Sequence, residues 1–498
     1  MPINLKILIV ILALATAVFA FARRPAGAFM ELADFARRRN LWFALTFAAF
    51  LLPNFWAYTF IAIPLLIFAN RRETNQPALF FFLLFALPMN TMYISGMGLF
   101  NNLFELSHAR ILGMIIFLPA FFSLLRQNNS LSFGWTVSDT VIAAYLLLTV
   151  AICLHDTTLT AALRQTFHLF LDVILPYVVI SRSLKDLQAF RDALSSFVIA
   201  MMVLALIAVF EFSKQWLLYQ PLVDLLQMDA GGVNGYIVRD GMLRVVASAG
   251  QPIVLGYLMV VGIGFYMFLK STIQQKLMRR SGMALLAVGL FVPLSRGPWI
   301  GAVVLLLLFI ATGRNPVRRL IGLVLAAMLA LPLIAVLPGG DKVVNLLPFI
   351  GSTEKENIDY RANLITNSMV VIQRNPWFGS ANYLETPEME AMRQGEGIID
   401  VVNTYIGVAL EKGFVGLGLF AGFFALTLFG IYRAMRLISD KDSEEYLLGR
   451  VLLATLLAIL IMIFTVSSIT FIPIVYWSVA GMGVAYTQMV RRQADGKV

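Results

Sequence analysis

The chain has 498 residues, 59% of them hydrophobic and 13% charged, and its mean hydropathy is +0.82. This composition excludes an ordinary soluble globular protein and indicates a polytopic α-helical membrane protein. A net charge of +10 would also suit a nucleic-acid-binding protein, and the single cysteine, Cys153, excludes an intramolecular disulfide.

Long apolar runs follow one another along the chain, whereas a membrane β-barrel would show alternating ten-residue segments. The runs lie near 5–22, 41–52, 54–69, 78–96, 111–125, 138–154, 168–181, 190–212, 252–270, 282–294, 298–312, 319–337, 413–432, 449–466 and 471–489. The two runs that flank Pro53 form either a tight hairpin or one broken helix. We therefore predict an all-α protein with about 12 to 15 transmembrane helices.

The positions of arginine and lysine predict the orientation, because these residues are enriched in cytoplasmic loops. Arg23, Arg24 and Arg37 to Arg39 are taken as cytoplasmic, and 41–69 is treated as a hairpin. Most of the basic residues then fall on the cytoplasmic side, so the positive charge is a topological signal and nucleic-acid binding is excluded. The predicted parts are N-terminal transmembrane helices in 1–212, a periplasmic loop at 213–251, central transmembrane helices in 252–337, a large periplasmic loop with amphipathic helices at 338–412, and C-terminal transmembrane helices in 413–498.

Two arginines fall at the outer ends of predicted spans. Arg244 lies eight residues before Pro252, which opens a span, so it is either a snorkelling interfacial residue or an anion contact. In "VPLSRGPWIG", Pro298 suits the first turn of a helix, which would place Arg296 at the N-terminal end of that helix. An arginine beside the free N–H groups of a helix start forms an anion site suited to phosphate.

A third arginine lies in the large loop. Arg361, Ile365, Met369 and Ile372 fit an amphipathic helix on the outer surface that stops before Pro376. Arg361 is then either a substrate contact or part of a solvated face.

The carboxylates and histidines predict no metal site. Glu388 and Glu390 could imitate a metal-binding pair, but no third ligand accompanies them and a solvated loop is favoured. The three histidines, His108, His155 and His168, are scattered along the chain.

The stretch from Ile398 to Phe420 combines polar residues with the start of an apolar run. Asp400, Asn403, Gly407 and Glu411 are three, four and four residues apart, so a helix would align them along one stripe. The stripe either faces water before the chain enters the membrane or faces a cavity. Glu411 favours the cavity, since a charge so close to the apolar run is otherwise costly.

Four motifs, taken in order, resemble the O-antigen ligase and polysaccharide polymerase family of bacterial inner-membrane glycosyltransferases. They are Arg244 to Gly256, Ser295-Arg296-Gly297, Arg361 to Gly379, and Asn403-x-Tyr405…Glu411-x-Gly413-x-x-Gly416. Three positions depart from the family pattern: Val402 replaces a ligase histidine, Ser380 a second glycine, and Ile253 a common asparagine. The missing histidine argues against a ligase and leaves the polymerase branch.

The resemblance implies a GT-C-like fold and an inverting, metal-independent transfer of glycans that are linked to undecaprenyl diphosphate. It implies Arg244, Arg296 and Arg361 as diphosphate contacts and Asn403 and Tyr405 as glycan-orienting residues. For the base we predict Asp400, with Glu411 as the other candidate. The two lie about 16 Å apart if one helix spans them, so both cannot contact one hydroxyl.

The expected partners are a lipid-linked oligosaccharide, membrane lipid, and flippase and chain-length or export proteins, with no cofactor. The expected location is the bacterial inner membrane, with the active site facing the periplasm. Two alternatives stay open. One is a ligase that transfers the glycan to lipid A core or protein, and the other is a lipid-linked oligosaccharide flippase. The polar residues gather in outer loops and not in mid-span, which favours the enzyme.

Overall fold

The protein is described from a computed structural model, which covers residues 2–95, 102–126, 136–228, 235–239, 241–323, 325, 328, 355–394 and 397–496. Almost all of the regular structure is helical, as the composition predicts. Part of the apolar run at 319–337 and the start of the loop at 338–412 lie outside the described residues.

The helices and strands follow one another from the N-terminus to the C-terminus. They are α1 (Ile3–Ala26), α2 (Leu32–Leu51), α3 (Phe55–Asn70), α4 (Gln76–Leu84), β1 (Thr91–Ser95), β2 (Asn102–Ser107), α5 (His108–Arg126), α6 (Val137–Asp156), α7 (Leu159–Ser183), α8 (Leu187–Lys214), α9 (Gln220–Leu226), β3 (Val238–Arg239), β4 (Met242–Leu243), α10 (Pro252–Leu269), α11 (Lys276–Phe291), α12 (Arg296–Ala311), α13 (Lys355–Arg374), α14 (Pro387–Glu390), α15 (Thr404–Leu437), α16 (Glu444–Met462) and α17 (Phe471–Ala494). Residues 316–323 are also helical. Helices α5 and α7 each contain a π-helical turn, at Gly113–Phe117 and Phe170–Ile174.

Eight helices in the described part of the chain are long and apolar enough to cross a membrane. They are α1, α5, α6, α7, α8, α10, α15 and α16. The shorter apolar helices α3 and α12 add to this set, and α3 follows α2 through Pro53, so the run around Pro53 is a hairpin. The protein is thus an all-α, multi-pass membrane protein.

Side-chain caps define where many of the helices begin. Asn54, Thr158, Asp186, Asn403 and Ser443 each accept a backbone N–H from the first turn of the helix that follows. The two strand pairs are short antiparallel hairpins, β1 with β2 and β3 with β4.

The centre of the bundle is formed by α8 and α10, whose side chains are almost all buried. Helix α10 packs against α16, and α16 packs in turn against α12, while α15 packs between α6 and α17. Two acidic residues of α8, Asp192 near its start and Glu211 near its end, lie at opposite ends of the bundle. Asp192 contacts Arg38 at one end, and Glu211 accepts backbone N–H groups of Val246 and Ala247 at the other.

Candidate active site

The residues before α12 bring Arg244 beside the start of that helix. Arg244 donates from Nη2 to the Ser295 hydroxyl at 2.9 Å and from Nε to the Pro293 carbonyl at 3.4 Å. Ser295 is the N-cap residue, so Arg296 is the first residue of α12, as the sequence predicts. Leu294 has a positive φ of 52°, a strained conformation for a residue other than glycine. Arg244 is therefore bonded to the loop between α11 and α12, directly before Arg296.

The start of α10 packs directly on the start of α12. A Cβ at Gly256 would lie 2.7 Å from the Pro298 side chain, so only glycine allows this approach. Pro252 occupies the first turn of α10. The N-termini of both helices thus lie at the same end of the bundle, where their unpaired N–H groups favour an anion.

The loop between α16 and α17 connects Arg361 to this position. Arg361 donates from Nη2 to the Thr465 carbonyl at 3.3 Å. The Thr465 hydroxyl would lie 2.6 Å from a Cβ at Gly297, the second residue of α12. The partners of Arg244 and Arg361 thus both lie at the start of α12, where Arg296 is the first residue, although Arg361 lies in α13, more than 60 residues beyond Arg296.

The same loop holds the start of α15. Asn403 accepts the N–H groups of Tyr405 and Ile406 at its side-chain oxygen, at 2.9 and 3.2 Å. Thr404 donates its backbone N–H to the carbonyls of Ile463 and Val466, and its hydroxyl donates to the Val466 carbonyl at 2.8 Å. A third helix N-terminus is therefore fixed against 463–468.

The predicted helical stripe from Asp400 to Glu411 is wrong at its N-terminal end. Because Asn403 caps α15, the helix begins at Thr404 and Asp400 lies in the extended segment before it. The separation of about 16 Å assumed one continuous helix, so it does not describe these two residues. The sequence favoured a helix through Asp400, whereas the N-cap Asn403 starts the helix after Asp400, at Thr404.

Asp400 is held by Ser467. The Ser467 hydroxyl donates to Asp400 Oδ1, and the Tyr360 hydroxyl donates to the Asp400 backbone carbonyl at 3.0 Å. Asp400 is half-buried, and the described residues include no hydrogen-bond partner for Oδ2. The carboxylate is oriented through one oxygen and can accept a proton at the other.

Tyr405 is bonded to a helix backbone. Its hydroxyl donates to the Leu460 carbonyl of α16 at 2.9 Å, and its ring packs edge-on against Phe420. The Tyr405 hydroxyl is therefore already hydrogen-bonded, and the ring is the part of the side chain that could contact a ligand.

Helix α15 is broken at Gly413, where residues 376–383, the docked loop, lie against its backbone. Gly413 has φ 62° and ψ −168°, and a Cβ there would lie 2.3 Å from the Trp377 backbone. Gly379 is also at positive φ, and a Cβ there would lie 2.5 Å from the Leu410 carbonyl oxygen. The segment satisfies the backbone groups freed by the break, since Phe414 N–H donates to the Pro376 carbonyl at 2.7 Å and Ser380 N–H to Leu410.

The break places a charged pair next to the site. Lys412 and Glu411 form an ion pair of 2.5 Å, and Lys412 is buried with its ammonium 5.6 Å from the centre of the Tyr145 ring. A Cβ at Gly416 would collide with the Lys412 side chain. Burial raises the pKa of Tyr383, in the docked loop, to about 12, and the nearby Glu411 carboxylate adds to the rise.

Asp156, the last residue of α6, also holds the docked loop in place. Asp156 accepts the Ser380 hydroxyl at 2.9 Å and the Ala381 N–H at 2.7 Å, and its backbone carbonyl accepts from the Asn382 amide. Nothing local in the sequence connects Asp156 with this loop, because the two are more than 220 residues apart.

Glu388 and Glu390 are each paired with an arginine. Glu388 bonds to Arg374 and Glu390 bonds to Arg393 at 2.6 Å. No group of three or more His, Cys, Asp or Glu side chains that could hold a metal ion occurs among the described residues.

The amphipathic helix predicted around Arg361 is present as α13 and ends at Arg374, before Pro376. Its faces differ from the predicted stripe. Ile365 and Met369 are exposed, whereas Leu364 and Ile372 are buried with Met389 and Leu410.

Comparison with protein families identifies part of the chain. Residues 281–421 match the family model of the O-antigen ligase domain, Wzy_C. The match includes Arg296, Arg361, Asp400 and Glu411, whereas Arg244 and 463–468 lie outside it. No curated protein matches the chain. The resemblance to the O-antigen ligase and polymerase family is confirmed, and the match supports glycosyl transfer of the ligase or polymerase type.

Proposed function

Because residues 281–421 match the O-antigen ligase domain, and arginines lie at helix N-termini in and next to this segment, we propose that the chain polymerises undecaprenyl-diphosphate-linked glycan repeat units. The proposed setting is the periplasmic face of the inner membrane, in the biosynthesis of a surface polysaccharide or exopolysaccharide. The observation that carries the proposal is that Arg244 and Arg361 bond to Ser295 and Thr465, which both lie against the first turn of α12, where Arg296 is the first residue.

Arginines and helix N-termini suit the leaving group of this reaction. In an inverting transfer the acceptor hydroxyl oxygen attacks the anomeric carbon of the donor, and the bond from that carbon to the diphosphate breaks. The electron pair leaves with undecaprenyl diphosphate, whose added negative charge the guanidinium groups and backbone N–H groups of α12 stabilise. Arginine can do this without a metal ion.

The proton of the acceptor hydroxyl must go to a base. We assign this role to Asp400, whose Oδ1 is fixed by Ser467 and whose carboxylate belongs to the same loop cluster as Thr465. Glu411 is the other candidate. Its ion pair with Lys412 favours a role as the counter-charge of Lys412 at the break in α15 over a role as proton acceptor.

Asn403 and Tyr405 are proposed to orient the glycan. The Asn403 Oδ1 is used to cap α15 and the Tyr405 hydroxyl is bonded to Leu460, so the groups offered to a sugar are the Asn403 amide nitrogen and the Tyr405 ring. Aromatic rings and amides are suitable partners for the apolar face and the hydroxyls of a sugar.

Glycan analysis of a deletion strain tests the proposal. We expect the strain to accumulate glycan of a single repeat unit and to regain long polymer when the wild-type chain is restored. A full-length polymer retained on undecaprenyl diphosphate would instead show a ligase. Loss of outward movement of the lipid-linked unit would show a flippase.

The proposed sidedness has a separate test. Alkaline phosphatase fused after Ser352, which lies outside the described residues, should be active, and the enzyme fused after Val498 should be inactive. The reverse pattern would contradict a periplasmic active site.

A further inference from the structure

A cavity with a charged side and an apolar side lies between α1 and α2, away from the proposed active site. Its volume is about 660 Å³. Arg23 and Arg24, in the last turn of α1, and Arg39 of α2 supply the charge. We refer to it as the arginine cavity.

The three arginines of the cavity face a different environment from the two that precede Arg39 in α2. Arg37 and Arg38 are bonded to carboxylates, including Glu73. Arg39 bonds instead to the neutral Asn40 side chain, which accepts from Nε at 3.1 Å and from Nη2 at 2.9 Å. No acidic residue lies among the described residues that line the cavity. The cavity therefore presents positive charge to whatever enters it.

Part of the remaining wall is apolar. Phe19, Leu32 and Phe43 line the cavity. The Phe19 ring lies edge-on to Phe43 at 5.4 Å and stacks on Phe82 at 5.6 Å, so this wall is fixed by its neighbours. Because α1 is a candidate membrane span and the arginines lie in its last turn, the cavity is at the boundary between the apolar part of the membrane and its surface.

We propose that the arginine cavity binds one anionic phospholipid, with the headgroup phosphate at Arg23, Arg24 and Arg39 and an acyl chain against Phe19, Leu32 and Phe43. A ligand for this cavity must carry an anion and a hydrocarbon chain within a few ångströms of each other, which a free phosphate does not. Basic pockets between membrane helices bind anionic headgroups for the same reason. The site is independent of glycosyl transfer and would anchor the α1–α2 hairpin to one leaflet.

Native mass spectrometry of the full-length protein in detergent tests this proposal with phosphatidylglycerol, phosphatidylcholine and glycerol 3-phosphate as probes. Wild-type protein should retain phosphatidylglycerol in preference to phosphatidylcholine, and glycerol 3-phosphate should not displace it. In the triple variant Arg23→Gln, Arg24→Gln, Arg39→Gln, phosphatidylglycerol affinity should fall by about 10²-fold, since each basic residue contributes about fivefold.

The control is the double variant Arg71→Gln, Arg72→Gln, which removes two exposed arginines of the same predicted membrane face that do not line the cavity. Its lipid affinity should stay at the wild-type level. If the triple variant unfolds in detergent, the single variant Arg39→Gln gives the same comparison with an expected loss of about fivefold. Equal retention by wild-type and variant protein would overturn the proposal, as would displacement by glycerol 3-phosphate.

Discussion

Arg38 at one end of the helix bundle differs from Arg244 and Arg361 at the other end in how far its guanidinium group is sealed from solvent. At one end Arg38 is completely buried between the carboxylates of Glu73 and Asp192, at 2.7 and 2.5 Å. At the other end Arg244 is half-buried and Arg361 is exposed, and both donate to hydroxyl or carbonyl oxygens of loops. Burial therefore separates an arginine that holds the fold together from one that a substrate can reach.

The difference has an energetic basis. A buried guanidinium is tolerated only where carboxylates and hydrogen bonds compensate for its lost hydration, and Arg38 also donates to the Ser196 hydroxyl at 3.0 Å. Such a network is fully formed before any ligand binds. An accessible arginine at a helix start keeps the capacity to bind a diphosphate. Changes at the two ends should thus affect different properties of the protein.

The largest effect on chemistry is expected at the accessible end, from Asp400→Asn. If Asp400 is the base, removing its proton acceptor should lower the rate of chain extension by about 10²- to 10⁴-fold without weakening donor binding. Extension can be measured with a purified lipid-linked repeat unit, and donor binding by isothermal titration in the same detergent. Glu411→Gln serves as the comparison. Normal extension by Asp400→Asn, together with an inactive Glu411→Gln, would exchange the two assigned roles.

The largest effect on stability is expected at the buried Arg38. Arg38→Met leaves two buried carboxylates without their cation, which should cost about 3–5 kcal/mol of unfolding free energy and reduce membrane abundance. Arg314→Met is the matched control, because its ion pair with Asp442 is exposed on both sides and should contribute about 0–1 kcal/mol. Thermal unfolding in detergent compares the two variants. A stable Arg38→Met protein would show that burial does not distinguish Arg38 from the accessible arginines.

An intermediate effect is expected where the docked loop meets α15. Gly413→Ala puts a Cβ against the Trp377 backbone at a positive φ, which costs on the order of 1–3 kcal/mol and should displace the docked loop at 376–383. Chain extension should fall, and proteolysis of the loop should become faster. Gly418→Ala, in the same helix with open space around it, should change neither. Equal behaviour of the two variants would exclude a role for the docked loop.

Chelation should have the smallest effect. Since arginines and helix N-termini supply the positive charge at the accessible end, activity should be unchanged in excess EDTA. Loss of activity on chelation, with rescue by magnesium or manganese, would bring Glu388 and Glu390 back as ligands.

Hydropathy and basic residues were sufficient to predict the fold class and the main helices. The preference of proline for the first turn of a helix placed Arg296 at a helix start, because Pro298 follows it by two residues. These features depend on local sequence, which is why they can be read without a structure.

The parts of the site that depend on distant contacts were not predictable. Thr465 lies at the end of the apolar run at 449–466 and Ser467 lies just after it, and the sequence assigns neither residue to the site, although they contact Arg361 and Asp400. The fall in hydropathy at "TVSSIT" was the only local signal. Likewise Gly379 and Gly413 belong to separate motifs, and only the structure shows that each glycine makes room for the backbone of the other segment.

The most direct test of the central claim is the activity of Arg296→Lys. Lysine keeps the charge but loses the two parallel N–H donors that bind a phosphate group, so extension of the lipid-linked repeat unit should fall by at least about tenfold. Membrane abundance and thermal unfolding should match the wild type, and Arg314→Lys, at the opposite end, should extend normally. Wild-type extension by Arg296→Lys, and by Arg244→Ala and Arg296→Ala, would show that these arginines only interact with the membrane surface.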